Sequence, residues 1–65
     1  LKFYMAVAEI AARTLSPQGF GIVEINEALG PETEQVFRNM GFSRTAVLKD
    51  LSDRDRFVCF SGLLG

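Results

Sequence analysis

The sequence predicts an α/β fold in the order helix, strand, helix, strand, strand. Three observations carry that expectation. A helical apolar stripe spans the first fifteen residues, an almost unbroken apolar run follows at Phe20–Ile25, and two short strand-like runs close the chain across a polar link.

The first helix rests on Phe3, Tyr4, Val7, Ala8, Ile10, Ala11 and Leu15, with Lys2, Glu9 and Arg13 between them. That spacing makes one stripe apolar and the other wet. Ala6, Ala8, Ala11 and Ala12 keep the helix slim enough to lie close on a sheet. Ser16-Pro17-Gln18-Gly19 ends it, because Pro17 cannot continue the hydrogen-bond ladder.

In the run Phe20-Gly21-Ile22-Val23-Glu24-Ile25, Phe20 and Ile22 share one face, Val23 and Ile25 the other. A strand apolar on both faces belongs inside a parallel sheet. Residues 26–30 read as a loop and Pro31 as the first residue of a second helix. Glu32 and Glu34 suit the positive end of its dipole, Arg38 the negative end, and Gly41 the stop. The last strands span about Thr45–Leu51 and Arg56–Ser61, and the link Ser52-Asp53-Arg54-Asp55 is short enough for an antiparallel hairpin. Gly62 to Gly65 reads as a short tail.

The segment Phe20–Leu51 then forms a right-handed crossover between parallel strands. Phe57–Phe60 is apolar on both faces, as a central strand is, whereas Lys49 and Asp50 blunt an edge. The last strand is therefore expected between the other two. Both helices fall on one face, leaving the other face and the open side of the Phe20 strand uncovered.

Composition restricts the function. The chain has 65 residues, of which 48% are apolar and 23% charged, and its net charge is −1. This is too hydrophobic for a disordered tail, and there is no basic field to favour nucleic acid or a membrane surface. The single cysteine, Cys59, lies in an apolar run and reads as a small buried hydrophobe. One cysteine and no signal-peptide pattern suggest a reducing, cytoplasmic setting. The absence of histidine removes Ser-His and Cys-His pairs from this chain.

Glu24, a carboxylate in an apolar strand, has no second acid or histidine at usable spacing and reads as a strand-end residue rather than a base. Asp50 and Arg56 flank the hairpin turn and suit a cross-strand ion pair. Gly19-Phe20-Gly21 precedes a strand instead of following one, which excludes a phosphate loop. Phe3, Tyr4, Phe37 and Phe42 are expected in the core, with the Tyr4 hydroxyl reaching a polar partner. No residue is assigned a catalytic, cofactor-binding or metal-binding role.

A sheet closing on one antiparallel strand beside its last-but-one strand resembles the ending of class I, S-adenosylmethionine-dependent methyltransferases, which are Rossmann-like. Leu1–Tyr4, Ser16–Phe20, Val23-Glu24-Ile25, Met40-Gly41-Phe42 and Lys49–Arg56 resemble the release-factor glutamine methyltransferase family in particular. The most specific piece is Asp50-Leu51 with Arg56. Gln18 stands where the family usually has glycine, and Asn26 replaces a glycine after the strand, at a turn that asparagine can also make in left-handed geometry.

The resemblance implies methyl transfer from S-adenosylmethionine to a glutamine side-chain amide of a peptide chain release factor. It makes residues 1–65 the C-terminal portion of one catalytic domain. The family's cofactor loop and its Asn-Pro-Pro-Tyr motif do not occur in this sequence. A start inside a helical pattern at Leu1 adds the expectation that residues precede it. The isolated segment is then structural, binds no cofactor and self-associates through its open edge. The alternatives are an adenine amino-methyltransferase acting on nucleic acid, or a non-catalytic module that pairs through that edge.

Overall fold

The computed structural model describes residues 1–63. It contains α1 (Lys2–Thr14), β1 (Phe20–Glu24), a 3₁₀ turn (Glu27–Leu29), α2 (Gly30–Met40), β2 (Phe42–Lys49) and β3 (Asp55–Leu63). The α/β class and the order of elements agree with the sequence. The three-stranded sheet is ordered β1-β3-β2, with β3 antiparallel to both neighbours. β1 and β2 therefore run in the same direction, and the last strand lies between them, as its apolar faces require.

Several boundaries differ from the sequence reading. β2 begins at Phe42 instead of Thr45, because Ser43 and Arg44 find partners across the ladder. The Ser43 hydroxyl donates to the Gly62 carbonyl at 2.8 Å, and Arg44 Nε donates to Ser61 Oγ at 3.3 Å. Gly62 and Leu63 accordingly belong to β3 and not to a tail, while residues 64 and 65 lie outside the described residues. The expected loop at 26–30 contains the 3₁₀ turn. Asn26 there has φ −74°, which is extended rather than left-handed, and its side chain accepts from the Ala28 N–H at 2.9 Å. Left-handed backbone occurs instead at Asp53, Gly62 and Gly41, the last with φ 113° and closing α2 through its N–H on the Arg38 carbonyl at 3.0 Å.

The core lies on one face of the sheet. Ala8, Ile25, Phe37, Phe42, Val58 and Phe60 are buried, with Tyr4, Val7, Ala11, Leu15, Val23 and Val47 packed against them. Three rings form its centre. Phe60 stacks on Phe37 with centroids 4.0 Å apart and meets the edge of Phe42 at 4.9 Å. Phe60 pairs with Gly21 in the ladder, and its ring lies over that glycine. Thr45 fastens α2 to β2, donating to Glu34 at 2.7 Å and accepting from Arg38 at 2.8 Å.

The expectation of a core Phe3 is overturned. Phe3 is 69% exposed, and Met5 and Ile10 are exposed as well. The apolar residues of α1 surround more than one stripe, and the helix turns Tyr4, Ala8 and Ala11 inward.

Candidate functional site

Two regions of the chain could do chemistry or bind: the loop end of the sheet and its open face. At the loop end, the 3₁₀ turn after β1 and the β2–β3 hairpin tip lie together, joined by Arg54 and Glu27 at 3.7 Å. Open α/β sheets bind ligands beyond the carboxyl ends of their parallel strands. This is that end for both β1 and β2.

Asp50 organises the tip. Its carboxylate accepts from the backbone N–H of Ser52 at 2.8 Å and of Arg54 at 3.1 Å, and from Arg56 at 3.1 and 3.3 Å. The Arg54 N–H above all, with Arg56 and the Ser52 N–H, holds this carboxyl below its ordinary range, against a smaller upward push from burial. The expected Asp50–Arg56 pair is present, but Asp50 lies in the turn and not within a strand. The register shifts between Leu48 and Lys49, so that Leu48 faces Phe57 and Lys49 faces Asp55. Arg56 is thereby left without a partner on β2, and its carbonyl accepts from the Ile25 N–H at 2.8 Å. Lys49 and Asp55 pair at 3.2 Å, and this hydrogen bond and charge raise the lysine above its ordinary value.

Glu24 is the last residue of β1, with its side chain exposed. Its backbone carbonyl accepts the Tyr4 hydroxyl at 2.6 Å, the polar partner expected for that tyrosine. This bond ties the first turn of α1 to the exit of β1. The Glu24 carboxylate has no hydrogen-bond partner among the described residues, so the geometry gives it no route to general-base work.

The open face carries Phe20, Ile22 and Glu24 on β1, Phe57, Cys59 and Ser61 on β3, and Arg44, Ala46 and Leu48 on β2, which the registers align in rows. Phe20 is 71% exposed and Ile22 53%. On β1, Ile22 occupies the uncovered face and Val23 packs into the core. Cys59 sits between Ile22 and Ala46 and is half-buried, not enclosed as its apolar run suggested. β1, expected inside a parallel sheet, is an edge strand whose described neighbour is antiparallel. Its doubly apolar character therefore has no complement on this side.

A shallow groove of about 200 Å³ between α1 and α2 is lined by Met5, Val36, Asn39 and Met40. Among the described residues, no group of three His, Cys, Asp or Glu residues could hold a metal ion. No helix among them is long and apolar enough to cross a membrane. Leu51, which no apolar pattern singled out, stands fully exposed at the hairpin tip.

The chain is similar to release factor glutamine methyltransferase of Flavobacterium psychrophilum, with 38% identity over 58 residues. The match covers 89% of this chain and 20% of that protein, so the chain spans about one fifth of its relative's length. The family resemblance read from the sequence is borne out by this match. No model of a protein family and no solved structure matches the chain.

Proposed function

We propose that residues 1–65 form the C-terminal part of a Rossmann-like methyltransferase domain. The whole enzyme transfers a methyl group from S-adenosylmethionine to a glutamine side-chain amide of a peptide chain release factor. The observation that carries this reading is the 38% identity running through 89% of the chain. The sheet order β1-β3-β2 and the open flank at β1 support it, since both suit the closing edge of a larger sheet. The single cysteine of this segment is in keeping with a reducing, cytoplasmic setting.

The residues of this segment do not fit the cofactor. A nucleoside with a charged amino-acid tail needs a carboxylate for its ribose and oriented donors for its own carboxylate. The groove of Met5, Val36, Asn39 and Met40 presents no charged group. At the loop end Glu27 and Asp50 are held in ion pairs with Arg54 and Arg56. We therefore assign the cofactor and the reacting amide to residues outside this segment, and to the segment the role of a wall. It holds the ends of β1 and β2 in place through Tyr4–Glu24 and the Asp50 turn.

Calorimetric titration of the 65-residue chain with S-adenosylmethionine tests this division, and no binding heat is expected. Micromolar binding would overturn it. The uncovered face and the free β1 edge also make the isolated chain self-associate. Sedimentation should show species larger than a monomer at high concentration, and a stable monomer would refute that expectation.

A further inference from the structure

We draw no further inference here: the strongest candidate, the open sheet face around Phe20, Ile22, Leu48 and Cys59, already belongs to the flank described above, and nothing in the structure shows a second occupant that would cover it.

Discussion

Replacing Gly21 by alanine probes the contact that closes the core. In an ordinary strand this change is favourable by about 0.5–1 kcal/mol, because alanine loses less backbone freedom on folding. Here a methyl carbon on Gly21 would lie 2.6 Å from Phe60 Cε2, where ordinary contact begins at 3.4 Å. The ring must therefore retreat by roughly 0.8 Å at that atom, the shortfall from ordinary packing. Phe37, stacked on it at 4.0 Å, and Phe42, at 4.9 Å, leave it little room. Overpacking of this kind costs about 1–3 kcal/mol, so the net destabilisation is about 0–2.5 kcal/mol.

Urea denaturation followed by circular dichroism measures that difference. In a chain of this size the melting point falls by about 4–8 °C for each kcal/mol. A second background isolates the cause. With Phe60→Leu in place the ring is gone, and Gly21→Ala becomes neutral or mildly stabilising, a coupling of about 1–3 kcal/mol. Equal effects of Gly21→Ala in the two backgrounds would refute the argument that the ring excludes a side chain at Gly21.

Two further perturbations test the hairpin and the second helix. Asp50 is depressed in the folded chain, so its contribution is present above its unfolded value of about 4 and is lost as pH falls through the lower folded value. Asp50→Asn should remove that part of the acid sensitivity, and parallel stability curves for the two proteins below pH of about 4 would contradict the assignment. Thr33 is fully buried, and its hydroxyl has no hydrogen-bond partner among the described residues. Thr33→Val should stabilise the chain by about 1 kcal/mol in the same urea assay, and a loss of stability would show that the hydroxyl is satisfied.

The placement of the last strand was legible because Phe57–Phe60 is apolar on both faces whereas Lys49 and Asp50 are not. Only a strand flanked on both sides and sandwiched at least in part needs that pattern. The Asp50–Arg56 pair was legible for a similar local reason, the short polar link that brings the two together. Phe3 was not. Periodicity places apolar residues around α1, but which stripe meets the sheet is decided by the Tyr4–Glu24 bond and by Ala8 under Phe37's neighbours, which are tertiary facts. The early start of β2 was hidden because edge-strand residues are selected for the ladder and for solvent, and so Ser43 and Arg44 carry no apolar signal. Cys59 misled through its neighbours: alternate residues of β3 face opposite ways, and within Phe57–Phe60 it is Val58 and Phe60 that face the core.

That alternation bears directly on what the chain contributes. The open face carries Phe20, Ile22, Leu48 and Phe57 beside Glu24, Arg44 and Ser61, and both helices cover the other face. Fully burying a large apolar side chain is worth about 1.5–3 kcal/mol, so covering the exposed fractions of Phe20, Ile22 and Leu48 would add about 2–5 kcal/mol. A domain of this size has about 3–10 kcal/mol of stability in all. The open face is thus comparable to the whole stability of the folded chain. The charged groups show the opposite pattern. At the loop end Asp50 pairs with Arg56, Lys49 with Asp55 and Arg54 with Glu27, which rigidifies the turn. Exposed apolar strands beside ion pairs that hold a turn fit the proposed role of a structural flank.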